Sequence, residues 1–367
     1  MHAFVHTALP VRVLFGEGTR ASLGAEIERL GCRRALVLTT PGQRAAAEAQ
    51  AVSESLGSLA AGIFAGAAMH TPVEGTERAL EVLRGRAADC VVALGGGSTI
   101  GLGKALALRT GVAQIAVPTT YAGSEMTPVL GQTENGVKTT QRTLDVLPET
   151  VIYDVDLTLA LPVRVSVVSG MNAIAHAVEA LYARDGNPLT SLMAEESIRA
   201  LAGALPRIAS DPGDKAARSD ALYGAWLAGA CLGTVGMALH HKLCHVLGGS
   251  FDLPHAETHT VILPHAVAYN AAAAPDAMAR VARAVGVEDA ARGLHDLSGR
   301  LGAVRSLRDL GMPGAAIDRA ADLAVKDPYW NPAPIRRDAV RALIARAWAG
   351  DPPRAVVSPG DEPAPPP

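Results

Sequence analysis

The sequence predicts an N-terminal α/β domain, Rossmann-like with a doubly wound parallel sheet, followed by an all-helical C-terminal domain. Three observations support this fold class. The chain has 367 residues, more than one ordinary core needs. Short aliphatic runs alternate with helical stretches from residue 34, and beyond about residue 162 only helical periodicity continues. We therefore predict domains at 1–161 and 162–350, and a disordered tail at 351–367 that has seven prolines in seventeen residues.

The individual elements follow in order along the first domain. The predicted strands are RALVLTT, LAAGIFAG, CVVALGGG and QIAVPTTY, and the helices between them are QRAAAEAQAVSESLG, TPVEGTERALEVLRGRAA and STIGLGKALALRTG. The pair Asn135-Gly136 predicts a hairpin within PVLGQTENGVKTTQR, and LPETVIYDVDLTLALP closes the domain. Further on, the apolar periodicity predicts one long helix over 218–247, with glycines after it as a stop signal.

Composition excludes several classes of partner. The net charge of -3 and the 4% aromatic content offer no basic or stacking surface for nucleic acid. Apolar runs are too short for a membrane span, so we expect no membrane association. The four cysteines are scattered without a CxxC pair, which fits neither a zinc ribbon nor a disulfide framework, and we expect a cytoplasmic protein.

The stretch LGGGSTIGLGK lies where a predicted strand ends and a helix begins. Gly95, Gly96, Gly97 and Ser98 would let backbone N–H groups approach a diphosphate at the helix N-terminus. The spacing is neither G-x-G-x-x-G nor a Walker loop, so a tight turn without a ligand is the alternative.

The next two strand ends extend this candidate nucleotide site. PTTYAGSEMT offers Thr119, Thr120 and Ser124 to the phosphate and the nicotinamide ribose. The first strand ends in Thr39-Thr40, without the acid that usually selects NAD, so we expect NADPH to be accepted as well as NADH.

Histidines form the second candidate site. In HKLCHVLGGSFDLPH, His241 and His245 are four residues apart on one helix face, and His255 follows a short loop. In GMNAIAHAVEALY, Asn172 and His176 share a face of an earlier helix, with Glu179 nearby. We predict that the two helices direct these groups into one cleft; the alternative is that each histidine is a separate packing residue.

These motifs together resemble the iron-containing alcohol dehydrogenase family, and within it the maleylacetate reductase subgroup. The resemblance rests on GGGSTIGLGK, PTTYAGSEMT, GMNAIAHAVEALY, HKLCHVLGGSFDLPH and PYWNPAP, which occur in the family's order and span the chain up to its proline tail. It implies a dinucleotide-binding domain, a helical domain of the dehydroquinate synthase-like type, an active site in the cleft between them, and a homodimer.

The resemblance also implies a metal site, from which this sequence departs. Relatives bind Fe²⁺ or Zn²⁺ with an aspartate and three histidines, and those positions fall on Asn172, His176, His241 and His255, while His245 matches a histidine beside the substrate. An amide at Asn172 removes the only anionic ligand, which argues against firm metal binding. Gly101 is a second departure, because the wider family often has an acid there.

The activity implied by the subgroup is NAD(P)H-dependent reduction of the conjugated double bond of 2-maleylacetate to 3-oxoadipate. We expect a small dicarboxylate substrate and name Lys242, Arg142 and Tyr329 as candidate contacts, with Lys138 near the cofactor. Three alternatives stay open: a metal-dependent alcohol dehydrogenase or aldehyde reductase, a lyase resembling dehydroquinate synthase, and a nucleotide-binding protein without catalysis.

Overall fold

A computed structural model of the chain describes residues 3–134, 137–327 and 329–355. The strands are β1 (Arg12–Gly16), β2 (Ala35–Leu38), β3 (Ala60–Phe64), β4 (Cys90–Gly95), β5 (Ala113–Pro118), β6 (Val129–Glu134), β7 (Val137–Arg142) and β8 (Thr150–Asp154). The first helices are α1 (Leu23–Arg29), α2 (Gln43–Leu56), α3 (Val73–Gly85), α4 (Gly97–Thr110), α5 (Val163–Leu181), α6 (Pro188–Ser210) and α7 (Lys215–Thr234). They are followed by α8 (Leu239–Phe251), α9 (His255–Asn270), α10 (Pro275–Val285), α11 (Ala290–Arg300), α12 (Ile317–Val325) and α13 (Arg337–Ala349).

The main sheet has six parallel strands in the order β1-β8-β5-β4-β2-β3, which confirms the predicted fold class. Both of its faces are covered. On β2, Leu36 and Leu38 join one apolar cluster, whereas Val37 joins another on the opposite face. Burial on both faces explains why these strands are continuously apolar in sequence rather than alternating.

The strand order creates a crevice at one edge of the sheet. The chain runs outward from β2 to β3, and then returns to add β4 and β5 on the other side of β2. Ligands of open parallel sheets bind beyond the carboxyl ends of the strands where the order reverses, which here is between β2 and β4.

The predicted hairpin is confirmed by β6 and β7, which pair antiparallel from Val129 opposite Arg142 to Glu134 opposite Val137. The turn residues Asn135 and Gly136 lie outside the described residues. The hairpin packs near α3 and α4 and so borders the same crevice.

Helix α5 is the central element of the second half of the chain. Every residue from Ser166 to Ala180 is buried. A helix that is covered on all sides must be surrounded by other helices, and α6, α7 and α9 all pack against it. The last strand of the main sheet ends at Asp154 and α5 begins at Val163. The division at 161/162 stays a prediction.

The single helix predicted over 218–247 is wrong, because the chain breaks there into α7 and α8. Their axes differ by 94°. Residues Val235 and Ala238 leave helical geometry, and Gly248 and Gly249 lie inside α8 rather than after it. The apolar pattern runs through the break, so sequence periodicity does not reveal it. The cause is tertiary: the buried Glu179 carboxylate on α5 accepts hydrogen bonds from the first N–H groups of α8.

No single helix in the described ranges is long and apolar enough to cross a membrane. Helices α7 and α8 reach that threshold only when they are counted together across their bend.

Helix α7 approaches the segment after β5 through two glycines. A methyl group on Gly229 would lie 2.5 Å from the carbonyl oxygen of Gly123 and 2.9 Å from its Cα. Both contacts involve backbone, so neither partner can rotate away. We expect Gly229→Ala to lower the free energy of unfolding by about 1–3 kcal/mol, since overpacking strains a close contact.

Calorimetric melting of Gly229→Ala beside Gly203→Ala tests this expectation. Gly203 is in α6, and a methyl group there would meet nothing within 4 Å. The control should melt at the wild-type temperature or slightly above it, because alanine favours the helix. Equal melting of the two variants would contradict the proposed close approach.

Candidate active site

A cleft of about 1070 Å³ lies between the carboxyl edge of the sheet and the helices of the second half of the chain. It brings together most of the site residues predicted from sequence. Those that line it are Thr39, Thr40, Gly95, Gly96, Gly97, Ser98, Thr119, Thr120, Ser124, Arg142, Asn172, His176, His241, His245 and His255.

The glycine turn joins β4 to α4 and needs glycine for two separate reasons. Gly95 has a φ of +154°, and a Cβ there would lie 2.4 Å from the Thr99 hydroxyl oxygen. A Cβ on Gly96 would lie 3.0 Å from the Thr120 methyl carbon, at the end of the neighbouring strand. The bare backbone therefore opens the N-terminus of α4 to the cleft, where N–H groups and the helix dipole favour an anionic ligand.

Two hydroxyl groups at this turn lack a partner. Within the described residues, Ser124 Oγ and Thr99 Oγ1 are buried without a hydrogen bond. Ser124 lines the cleft, so its hydroxyl can pair with a bound ligand. The glycine turn, the helix end and this hydroxyl fit the diphosphate and ribose of a dinucleotide.

Lys104 was missed by the sequence analysis. It is 1% exposed, and its Nζ donates to the carbonyl oxygens of Ser124 and Thr127 at 2.6 Å and of Val129 at 2.9 Å. Burial lowers the pKa of Lys104 to about 7, while the nearby Glu125 carboxylate opposes this shift. The ammonium ties α4 to the segment that carries Ser124. Its only sequence signal was a lone lysine within an apolar helix.

The turn before α3 is a second missed contributor to the cleft. Met69, His70 and Thr71 line it, and His70 and Thr71 have φ values of 61° and 47°, which side chains rarely adopt. A Cβ on Gly101 would lie 2.4 Å from the Thr71 hydroxyl. Gly101, the second departure from the family pattern, therefore leaves space for this turn.

Helices α5 and α8 bring the predicted histidines into contact. His176 Nδ1 lies 2.7 Å from His241 Nε2, and Asn172 Nδ2 lies 3.1 Å from His176 Nε2. His176 is almost fully buried, and desolvation holds its pKa well below the ordinary value for histidine. His245 follows one turn later on α8, exposed to solvent, with its ring centroid 6.4 Å from that of His241. His255 begins α9 and is partly buried.

A further pair of imidazoles supports this cluster from behind. His240 and His259 are both fully buried, and their rings are joined by a 2.9 Å contact between Nε2 and Nδ1. Burial lowers the pKa values of both rings well below the ordinary range for histidine. The His259 ring centroid lies 4.3 Å from that of His255 and 5.1 Å from that of His241. Neither His240 nor His259 is among the site residues predicted from sequence.

The residues that correspond to the family's metal ligands do not fit a metal ion in this arrangement. The set has no carboxylate, because Asn172 replaces the acid. The facing nitrogens of His176 and His241 are bonded to each other. His176 Nε2 faces Asn172 Nδ2 at 3.1 Å and Ala122 O at 3.2 Å, and His241 Nδ1 faces Glu179 at 2.6 Å. A ligating imidazole must turn a lone pair toward the ion, and these two turn theirs toward protein groups.

Two predicted contacts lie elsewhere, and a third falls outside the described side chains. Lys242 and Tyr329 are not among the described residues that line the cleft; Lys242 Nζ lies 3.7 Å from Asp327 and 5.5 Å from the Tyr329 ring centroid. Lys138 is on β7, but its side chain is outside the described structure. In PYWNPAP, Pro328 is also outside it. Asn331 fastens this segment to α8 by accepting from the Leu239 N–H at 3.3 Å.

Known proteins give a consistent assignment. A model of the iron-containing alcohol dehydrogenases matches residues 10–155, and a model of the C-terminal part of the Fe-containing alcohol dehydrogenase family matches residues 166–348. A maleylacetate reductase of Rhizobium sp. (strain MTP-10005) is 59% identical, over 95% of this chain and 99% of the relative.

Two crystal structures are similar over the same extent. A maleylacetate reductase from Agrobacterium tumefaciens superimposes with a TM-score of 0.92 at 58% identity, covering 96% of this chain and 100% of that one. A putative alcohol dehydrogenase from Ralstonia eutropha JMP134 gives 0.95 at 58% identity, with the same coverage. On the two family models and this identity, the chain belongs to the iron-containing alcohol dehydrogenase family.

Proposed function

We propose that this chain is an NAD(P)H-dependent maleylacetate reductase, which reduces the conjugated double bond of 2-maleylacetate to 3-oxoadipate during the breakdown of aromatic compounds. Curated relatives with this name are 52–59% identical to it. The observation that carries the proposal is that the linked side chains of Asn172, His176 and His241 share one cleft with the glycine turn.

The nicotinamide cofactor supplies the hydride that is added to the substrate. We assign its diphosphate to the Gly95–Gly97 turn and its ribose hydroxyls to Thr119, Thr120 and Ser124. Thr39 and Thr40 line the far end of the cleft. Threonines there do not repel a 2′-phosphate as a carboxylate would, so we expect both NADH and NADPH to be used.

The substrate explains why a cluster of histidines can suffice. Hydride addition at the carbon β to the ketone moves charge onto an enolate oxygen, which is much less basic than the alkoxide formed in ketone reduction. Imidazole donors can stabilise such an oxygen without a Lewis acid. We assign polarisation of the ketone to His241, and delivery of the proton to the enolate carbon to His245, which is exposed to the cleft.

The substrate carries two carboxylates, which need cationic or N–H partners. Arg142 lines the cleft and donates to the carbonyl oxygen of Gly233, so its guanidinium is held at the border of the site. We assign it to one substrate carboxylate.

We also propose an oligomeric state and a cellular compartment for the enzyme. We expect a homodimer, as the resemblance to the family implies, and light scattering can test this. The four cysteines are buried free thiols, as expected in the reducing cytoplasm.

The first test follows the absorbance of NADH and NADPH with maleylacetate, before and after chelation. We expect oxidation of both cofactors, unchanged by chelator, and less than one metal ion per chain. Failure to oxidise either cofactor would refute the reductase assignment. Activity that is lost on chelation and restored by Fe²⁺ or Zn²⁺ would instead indicate the metal-dependent chemistry of the wider family.

The second test replaces the assigned acid. His245→Ala should lower kcat by about 10²–10⁴-fold, the usual contribution of a positioned acid. Ser250→Ala is the matched control, since Ser250 is also exposed and lies on the same helix, beyond His245 and near the end of α8. Equal kcat in the two variants would remove His245 from the mechanism.

The third test concerns the cofactor end of the cleft. Lys104→Met leaves buried carbonyl oxygens without a hydrogen-bond donor, each at a cost of about 1–3 kcal/mol, and loosens the segment that carries Ser124. We expect a lower melting temperature and at least about tenfold weaker NADH binding, measured by fluorescence titration. Lys215→Met, which removes only ion pairs of a solvent-exposed lysine, should leave both the melting temperature and NADH binding close to wild type. Wild-type NADH affinity in Lys104→Met would contradict this role.

A further inference from the structure

We propose that Glu179 is the positioning residue for His241: its carboxylate determines which ring nitrogen of His241 carries hydrogen, and it fixes the start of α8. This inference rests on the proposed function, because it assigns a role within that reaction. Glu179 itself does not line the cleft among the described residues, so it acts through the imidazole.

The surroundings of Glu179 consist of donors. The side chain is fully buried, and it accepts from His241 Nδ1 at 2.6 Å, from the Ala238 N–H at 2.8 Å and from the His240 N–H at 2.8 Å. The Tyr182 hydroxyl donates to it at 3.4 Å. A carboxylate is the one side-chain group that accepts at both oxygens and donates at neither, so the site is built for an ionised acid.

The backbone bonds make Glu179 a remote cap of α8. The N-cap residue Ala238 has no side chain that could satisfy the first N–H groups of the helix. Glu179 supplies acceptors from α5, and Asn331 supplies another to Leu239. A negative charge at this terminus also complements the helix dipole. The angle at which α8 leaves the bend is therefore tied to α5, the helix that carries His176.

The side-chain bond sets the tautomer of His241. Because Glu179 only accepts, Nδ1 of His241 must donate. Nε2 is then the atom left to interact with His176, 2.7 Å away, or with the substrate oxygen. Nε2 can donate to that oxygen when the ring is an imidazolium with hydrogen on both nitrogens, and the adjacent carboxylate stabilises this charged form. A buried acid behind a histidine has this same pair of effects in hydrolytic triads, where the amide replacement is strongly deleterious.

Glutamine cannot fill this role although it has the same shape. Its NH₂ group must occupy one of the two oxygen positions, and both face N–H donors. At the position bonded to His241 it would force Nδ1 to accept, so Nε2 would donate to His176 instead. The alternative orientation places the NH₂ against the His240 N–H and leaves that helix end unsatisfied.

The test compares Glu179→Gln with Asn331→Ala. Asn331 satisfies the neighbouring N–H of the same helix end, and its other hydrogen bonds go to Asn270 and Ala333, so its loss should loosen α8 without changing the tautomer. We expect Glu179→Gln to lower kcat by about 10²-fold or more with little change in KM. Asn331→Ala should reduce the melting temperature while keeping kcat within a few-fold of wild type. Comparable losses of kcat in both variants would overturn the proposal, because they would show that Glu179 acts only by capping α8.

A double variant and an NMR measurement test the shared role of Glu179 and His241 further, and the NMR measurement needs neither Glu179→Gln nor a substrate. In the double variant Glu179→Gln/His241→Ala, kcat should fall no further than in His241→Ala alone, whereas additive losses would overturn the shared role. Imidazole ¹⁵N resonances of the NADH-free protein report the tautomer directly. They should show hydrogen on Nδ1 of His241 in the wild type and in Asn331→Ala. Hydrogen on Nε2 but not on Nδ1 in both proteins would refute the inference, whatever the substrate.

Discussion

One buried carboxylate constrains the geometry of the whole reaction centre. Glu179 has no exposed surface, and its hydrogen bonds hold the start of α8 and one ring nitrogen of His241. A buried charge is tolerated only when its partners surround it, so this arrangement allows little variation. The 94° bend between α7 and α8 follows from it, and that bend directs the histidines toward the glycine turn instead of along one continuous helix.

The parts that could be predicted from sequence are those with local signals. Aliphatic runs, the Asn135-Gly136 pair and the three glycines after β4 each have physical causes within a few residues, so the sheet, the β6–β7 pairing and the nucleotide end of the cleft follow from them. The position of His176 and His241 in one cleft was also predicted, because a spacing of four residues from Asn172 and His245 places each on a defined helix face, whereas their direct contact was not.

The remaining features depend on contacts between residues far apart in the chain. The break before α8 is imposed by Glu179, 59 residues before Ala238, while the apolar periodicity continues across it. Lys104 resembles any lysine near a glycine until its carbonyl partners are brought to it by folding. The charged candidates Lys242 and Arg142 could not be separated by sequence, because only the fold decides which of the two reaches the cleft.

The paired imidazoles of His176 and His241 bear on what metal binding would require of this chain. An acid at position 172 would add a ligand, yet each ring would still have to give up its present partner before it could face an ion. The Thr71 hydroxyl fills the space that an acid at position 101 would need. Metal binding at this site would therefore require several coordinated changes, because a single substitution leaves the histidine pair in place.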